Sequence, residues 1–166
     1  MWGRLSWRFG ANDFKPKSWD GYGEDWPISY EDLAPYYDRI ERYVGISGQA
    51  EGLPQIPDGR FLAPMKMSCG ERYFESKVES KLERPVIIGR TALLTEPHNG
   101  RNPCHYCGPC EQGCITHSYF SSLWTTLVDA QKSGNCIIQT DSVAARITTD
   151  KNTGLANGVE YVDRLT

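Results

Sequence analysis

The start of the first long helix is encoded in one stretch of the sequence, Asp25-Trp26-Pro27-Ile28-Ser29-Tyr30-Glu31-Asp32-Leu33-Ala34-Pro35-Tyr36-Tyr37. Ser29 can cap the helix, and Asp32 stands three residues later in a capping-box arrangement. Because proline is unfavourable deep inside a helix, we predict a short turn over residues 30–33 and then a helix with Pro35 in its first turn. This helix is predicted to end at Gly45 and Gly48.

The other elements follow from the spacing of apolar residues and from turn signals. A second helix is predicted from about Gly70 to Leu82, and a third over residues 121–132, with Gly134 just after its end. Four short strands are predicted at 86–88, Ile137–Thr140, Ser142–Thr149 and Ala156–Asp163, with the last two joined by a turn at 151–154. The third helix is expected to pack on the sheet of the last three strands.

The composition excludes several classes of protein. The net charge is −3, so the chain has no basic surface of the kind that binds nucleic acid. No apolar run approaches the roughly 20 residues that a membrane-spanning helix needs. The first 28 residues hold many aromatic residues without a lasting period and are predicted to be mostly irregular. The fold class predicted from these features is α/β, with helices on a small sheet and long irregular loops.

Four of the six cysteines are crowded into the loop Cys104-His105-Tyr106-Cys107-Gly108-Pro109-Cys110-Glu111-Gln112-Gly113-Cys114. The spacing C-x₂-C-x₂-C-x₃-C matches the cluster-binding run of bacterial ferredoxins, although Ile115 stands where ferredoxins have proline. The spacing predicts an iron–sulfur cluster, either a three-iron cluster or one closed by the fourth thiolate. The predicted metal ligands are Cys104, Cys107, Cys110 and Cys114.

Three other interpretations of this loop remain open. Zinc could take the same thiolates, or some of them together with His105 or His117. The cysteines could pair as two disulfides in an exported protein. They could also be reduced thiols in a packed loop. The three histidines, His98, His105 and His117, flank or lie in the loop, and a histidine in a polar loop more often bonds to backbone than to metal.

The order of the motifs resembles the glucose–methanol–choline family of flavin-dependent oxidoreductases. The stretch from Asp25 to Tyr37, with Glu41 and Val44-Gly45-Ile46-Ser47-Gly48, looks like the segment after the flavin-binding start of bacterial members. Trp2-Gly3-Arg4, Trp7-Arg8-Phe9 and Asp13-Phe14 resemble the tail of that family's first signature. Ser142-Val143-Ala144-Ala145-Arg146-Ile147 and Gly158-Val159-Glu160-Tyr161 resemble its returning strands beside the flavin adenine.

This resemblance implies that residues 1–166 are one incomplete internal segment of a longer enzyme. Its parts would be an irregular tail of the flavin signature (1–28), a helical segment (29–94), the Cys-rich loop (95–119), and a helix with returning strands of a partial FAD-binding domain (120–166). The backbone of Val143 would hydrogen-bond the adenine edge of FAD. The sequence has no Gly-x-Gly-x-x-Gly fingerprint and no counterpart of the family's catalytic histidine, so no catalytic residue is assigned.

The reaction implied is hydride removal from a CH–OH group of a sugar or alcohol by FAD. A cluster would carry electrons onward one at a time, which favours a dehydrogenase with an electron-transfer partner over an oxidase. Some dehydrogenases of this family carry a cluster near this loop with a different spacing in its first half. The isolated segment is expected to be inactive without the parts of the parent chain on either side. The compartment stays open between bacterial cytoplasm and periplasm. The alternatives are a small non-catalytic iron–sulfur or zinc module, or an interaction domain that a partner stabilises.

Overall fold

A computed structural model describes residues 4–166, which form two compact units, the chain up to Trp124 and Thr125–Thr166. The first unit contains helices α1 (Pro16–Asp20), α2 (Tyr30–Val44) and α3 (Cys69–Leu82). The second contains helix α4 (Thr126–Lys132) and strands β1 (Ser142–Thr149) and β2 (Ala156–Asp163). The predicted mixed α/β class is confirmed. Of the helices described, none combines the length and the apolar character needed to cross a membrane.

Helix α2 begins with the predicted capping box. The Asp32 backbone N–H donates to the Ser29 hydroxyl at 3.4 Å, and the Ser29 N–H donates to the Asp32 carboxylate at 2.8 Å. The separate turn before Pro35 was wrong, because α2 runs unbroken from Tyr30 with Pro35 inside it. Proline lacks the N–H for one intrahelical bond, and the capping box with the buried helix end around Val44 outweighs that loss. Gly45 ends α2 at φ 77°, as predicted.

Helix α3 also confirms its prediction and starts one residue earlier, at Cys69. Ser68 caps it, accepting from the Glu71 N–H at 3.3 Å, while the Glu71 carboxylate accepts from the Ser68 N–H at 2.6 Å. No residue of α3 is buried. Its apolar face, which includes Phe74 and Leu82, is therefore open to solvent.

The centre of the first unit is the extended segment 90–94. One side of it hydrogen-bonds to segment 4–6, through Ser6 N–H to the Arg90 carbonyl and Ala92 N–H to the Arg4 carbonyl, each 2.9 Å, and to segment 118–120. The other side bonds to segment 46–48. These contacts are isolated bridges rather than long ladders. Around them lie the buried apolar side chains Phe14, Val44, Ile46 and Leu94.

The predicted strand at Val86-Ile87-Ile88 was wrong. These residues are extended without strand pairing, and the pairing falls a few residues later, at Thr91 and Leu93. A β-branched run makes an extended backbone favourable, but a strand also needs a partner segment, and here the partners lie opposite residues 90–94. The start of the chain from Arg4 to residue 28 is mostly irregular, as predicted, apart from a 3₁₀ turn at Ala11–Phe14 and α1. Trp2 and Gly3 lie outside the described residues.

The hairpin of the second unit confirms the two predicted strands with their bounds. β1 and β2 pair antiparallel, with irregularities between Ala144 and Arg146 and between Thr148 and Thr149. Gly134 follows the end of α4 with φ 73°, as predicted. The single helix expected over 121–132 is instead a 3₁₀ turn at Ser122–Trp124 followed by α4.

Two further predictions for this unit were wrong. Ile137–Thr140 forms no strand, so the described sheet has two strands and not three. The predicted packing of the helix on the sheet is also missing, since every residue of β2 is exposed and β1 is exposed along most of its length. A third strand and a packed helix would be stabilised by apolar burial on the sheet, and a bare two-stranded hairpin offers little of it.

Candidate functional site

The Cys-rich loop does not bring its thiols to one centre. Within residues 4–166, no group of three or more His, Cys, Asp or Glu side chains is arranged to hold a metal ion. All six cysteines are free thiols, so neither disulfide of the alternative interpretation is formed. The sulfurs of Cys104 and Cys114 instead accept backbone N–H groups, from Tyr106 at 3.3 Å and Ser118 at 3.2 Å. The iron–sulfur cluster on Cys104, Cys107, Cys110 and Cys114 thus stays a prediction that this geometry does not support.

Cys114 has the most polar surroundings of the loop thiols. Its sulfur lies 3.4 Å from the Thr116 hydroxyl and 3.2 Å from the Ser118 backbone nitrogen. Partial burial works to raise the pKa of the thiol, but the hydrogen bonds from the Thr116 hydroxyl and the backbone N–H groups of Tyr119, Ser118 and Thr116 outweigh it. The net effect lowers the pKa of Cys114 below its usual value.

We expect the alkylation of Cys114 by iodoacetamide to show a pH midpoint below that of a free cysteine in a peptide. The labelling rate of the Cys114 peptide, followed by mass spectrometry from pH 5 to 10, measures this. Because the folded pKa is the lower one, the thiolate stabilises the fold fully at pH values above the unfolded pKa. That contribution is lost as the pH falls through the folded pKa.

The Thr116 hydroxyl supplies the matched control for this prediction. Thr116→Val should raise the midpoint, and Thr116→Ser, which keeps the hydroxyl, should leave it close to that of the unmodified chain. A midpoint at or above that of the peptide would show that the hydrogen bonds do not hold the thiolate.

Two of the three histidines, His98 and His117, make contacts that stabilise the fold. The His98 ring nitrogen Nε2 lies 3.2 Å from the backbone carbonyl of Tyr43, near the end of α2. The His117 ring stacks on Trp124, with centroids 4.6 Å apart and planes at 7°. Trp124 in turn donates its indole N–H to the Tyr119 carbonyl at 2.9 Å. These contacts position the loop and indicate no general base.

A polar cavity of about 420 Å³ opens beside the Cys loop. The Arg4 guanidinium lies 4.5 Å above the Tyr119 ring and 3.5 Å from the Glu111 carboxylate. The remaining wall is formed by neighbouring residues of the loop and of the segment after it: Cys110, Phe120, Ser121 and Ser122. Sequence reasoning missed this cavity, because Arg4 lies more than 100 positions before the other residues that line it.

A buried ion cluster fixes the irregular start of the chain to helix α2. Arg8 donates from Nε and Nη2 to the two carboxylate oxygens of Glu41, at 2.8 and 2.6 Å, and from Nη1 to the Tyr30 hydroxyl at 3.0 Å. Asp38 also pairs with Arg8. Burial works to lower the pKa of Arg8, but the bonds to Glu41, Asp38 and Tyr30 outweigh it and raise the pKa. The cluster is structural.

Two further arginines are buried in the first unit. Arg90 is 1% exposed; it donates to the Asp58 carboxylate at 2.9 Å and lies 4.7 Å above the Phe61 ring. Arg101, which is 4% exposed, donates to the Val44 carbonyl at the end of α2. Burial lowers the pKa of Arg101. A cation at a helix C-terminus offsets the helix dipole, so Arg101 has a structural role there.

Val143, the predicted adenine contact, lies on β1 opposite Val162 and is half exposed. The Arg164 N–H donates to the Asp141 carbonyl at 2.8 Å, and this bond sets the phase of the antiparallel ladder. Because backbone groups alternate along such a ladder, we expect those of Val143 to face Val162 and those of Ser142 and Ala144 to face the open edge. No observation on this strand tests the adenine contact of Val143, which stays a prediction.

Comparisons with known proteins show that the sequence of the chain is similar to parts of several oxidoreductases. It is 31% identical over 155 residues to the fructose dehydrogenase large subunit of Gluconobacter japonicus, covering 91% of this chain and 28% of that protein. It is 34% identical to the 2-methyl-1,2-propanediol dehydrogenase of Mycolicibacterium austroafricanum, covering 86% of this chain and 25% of the relative. It is 23% identical to the gluconate 2-dehydrogenase flavoprotein of Pantoea cypripedii, over 84% and 26%. Other matching relatives are named as oxidases.

No family model matches the chain. The chain spans less than a third of the length of the curated relatives it matches. Most of its length is nonetheless similar to segments of dehydrogenases and oxidases that are named for sugars or alcohols.

Proposed function

We propose that the chain is part of a flavin-dependent oxidoreductase of the glucose–methanol–choline type that removes a hydride from a CH–OH group of a sugar or alcohol. The observation that carries this proposal is the similarity of 84% to 91% of the chain to dehydrogenases named for fructose, a diol and gluconate, one of them a flavoprotein. The motif order of the sequence supports the same assignment. A stand-alone zinc or iron–sulfur module is not favoured, since the described residues hold no metal-binding group.

The chain by itself offers only part of a flavin site. We expect the backbone groups of Ser142 and Ala144, on either side of Val143, to face an edge of β1 that no other described strand covers, and this edge could receive an adenine edge. The sequence has no Gly-x-Gly-x-x-Gly turn, so the pyrophosphate would be held elsewhere in the longer protein. Bound flavin would supply the hydride acceptor. The base that takes the hydroxyl proton would also lie outside this chain, because the sequence has no counterpart of the family's catalytic histidine and the contacts of His98 and His117 are structural.

We expect the purified 166-residue chain to hold no stoichiometric FAD, because it lacks the phosphate-binding turn at a helix N-terminus. The longer parent protein should show the flavin absorbance near ~450 nm, at about one flavin per chain. Absorbance spectroscopy of both proteins, with FAD released by denaturation and quantified, measures this. A 166-residue chain that is purified with one bound flavin would contradict the proposal that it is an incomplete segment.

The same parent protein tests the reaction class. Anaerobic addition of D-fructose, propane-1,2-diol or D-gluconate should bleach the flavin with at least one of them. For a dehydrogenase, an artificial electron-accepting dye should restore the colour much faster than air does. A parent protein that binds flavin but is bleached by no CH–OH substrate would overturn the assignment.

A further inference from the structure

The polar cavity beside the Cys loop is built like a site for a hydroxyl-rich ligand. Its lining combines a guanidinium, a carboxylate, two serine hydroxyls and aromatic rings. We propose that this cavity binds two neighbouring hydroxyl groups of a sugar or polyol, between Arg4 and Glu111. The choice of ligand class rests on the proposed function, whereas the existence of the site rests on the geometry.

The Arg4 guanidinium lies against an aromatic ring and makes a long ion pair. Its side chain is 14% exposed and stacks on the Tyr119 ring, while the Glu111 carboxylate 3.5 Å away belongs to a side chain that is 72% exposed. At 3.5 Å the two groups do not form a short charge-assisted hydrogen bond. A hydroxyl of a ligand in the cavity could therefore approach either group more closely than the two groups approach each other.

Arg4, which lines the cavity, has an unfavourable backbone conformation. Arg4 has φ 71°, the left-handed region that residues other than glycine seldom adopt. Its carbonyl accepts from the Ala92 N–H at 2.9 Å and from the Ser6 hydroxyl at 3.0 Å, and both bonds hold this conformation. Unfavourable backbone conformations that the surroundings enforce cluster at binding sites. The observed outlier therefore supports a positioning role for this residue.

The paired charges select the chemistry of the ligand. An anion would be drawn to Arg4 but repelled by Glu111, and a cation would meet the reverse. Two neighbouring hydroxyls suit both groups, because one hydroxyl can accept from the guanidinium while the other donates to the carboxylate. Ser122 adds a further hydroxyl at the same wall.

The test is a titration of the ¹⁵N-labelled 166-residue chain with D-glucitol, followed by NMR. We expect saturable shifts of the amide signals of residues 110–111 and 119–122. Glu111→Gln and Arg4→Gln should each raise the dissociation constant at least about tenfold, the loss expected for a hydrogen bond to a charged group. Glu111 is largely exposed, so its variant keeps the test decisive even if Arg4→Gln misfolds.

Arg146 and Glu160 form the matched control, an exposed Arg–Glu pair at 2.6 Å on the hairpin. Arg146→Gln and Glu160→Gln should leave the dissociation constant unchanged. Absence of saturable shifts near the cavity, or equal affinity in Glu111→Gln, would overturn the proposal, and tighter binding of D-gluconate than of D-glucitol would replace it with an anion site. The titration needs no flavin, so its outcome is separate from that of the flavin experiment.

Discussion

Replacing Glu41 with alanine is expected to lower the free energy of unfolding of the first unit by about 3 kcal/mol, because it leaves Arg8 as a buried cation without its main partner. The chain's five tryptophans all lie at or before Trp124. Tryptophan fluorescence during urea denaturation therefore reports on the unit up to Trp124. The midpoint should fall at an unchanged slope, which marks a loss of stability rather than a change in the unfolded chain.

The geometry explains why the expected loss is this large. Arg8 is 6% exposed and Glu41 is 5% exposed, and both carboxylate oxygens of Glu41 accept from Arg8. Glu41 also accepts from the Arg60 backbone N–H at 2.7 Å. Asp38 remains beside Arg8 in the variant and compensates in part, which keeps the estimate at the lower end of about 3–5 kcal/mol for a broken buried pair.

Asp38 makes the free energy of unfolding of the first unit depend on pH in the acidic range. Hydrogen bonding to Arg8 holds the pKa of Asp38 below its usual value, although burial opposes this. A carboxylate with a depressed folded pKa stabilises the fold above its unfolded pKa, and this contribution disappears as the pH falls through the folded pKa. Because Asp38 is partly exposed, we expect the contribution to be modest.

A surface ion pair provides the control for Glu41. Lys17 and Glu24 approach to 2.9 Å with both side chains mostly exposed. Glu24→Ala should change the free energy of unfolding by less than about 1 kcal/mol. If Glu41→Ala shifted the urea midpoint no more than Glu24→Ala does, the buried cluster would not be what holds the start of the chain to α2.

Local signals predicted α2 and α3 because each of these helices is specified by residues close together in the chain. Ser29 with Asp32 and Ser68 with Glu71 form the capping boxes that start α2 and α3, and such boxes need only four consecutive residues. The turn at 151–154 lies between the two strands it joins, so the hairpin could be predicted as well. These elements need no distant partner to be recognised.

Elements that depend on distant partners could not be predicted from the sequence. The runs at 86–88 and 137–140 have strand-like composition, but neither forms a strand. In the first unit, pairing occurs instead at residues 90–94, where segments from three other parts of the chain meet. The buried arginines were missed for a related reason. Arg8 and Glu41 are 33 positions apart, and charged side chains are seldom fully buried unless paired, so nothing local marks either residue as part of the core.

The Cys loop shows that regular spacing does not fix side-chain direction. The C-x₂-C-x₂-C-x₃-C run constrains how far apart the sulfurs are along the chain, whereas turns at Tyr106, Gly108 and Gly113, each with positive φ, decide where they point. In this fold Cys104 and Cys114 direct their sulfurs to backbone N–H groups. A ligand set inferred from spacing alone is therefore a hypothesis about orientation as much as about chemistry.

Replacing Gly45 with alanine is expected to lower the free energy of unfolding of the first unit by about 3 kcal/mol, for two reasons that add. Gly45 ends α2 at φ 77°, and the left-handed region costs other residues about 1–2 kcal/mol. A methyl group there would lie 2.5 Å from Leu94 Cδ2 and 2.8 Å from His98 Cδ2, and overpacking of a core side chain costs about 1–3 kcal/mol more. Urea denaturation followed by tryptophan fluorescence measures the loss.

Gly21 separates the two contributions. It ends α1 at φ 87°, in the same unit as Gly45, but an added methyl group would meet no atom within 4 Å. Gly21→Ala should therefore lose only the backbone contribution, about 1–2 kcal/mol, and a larger loss in Gly45→Ala would measure the clash with Leu94 and His98. Because Leu94 is fully buried and its backbone N–H donates to the Ser118 hydroxyl, it cannot move aside without opening the core. Equal losses in the two variants would show instead that the packing around the end of α2 yields to a methyl group.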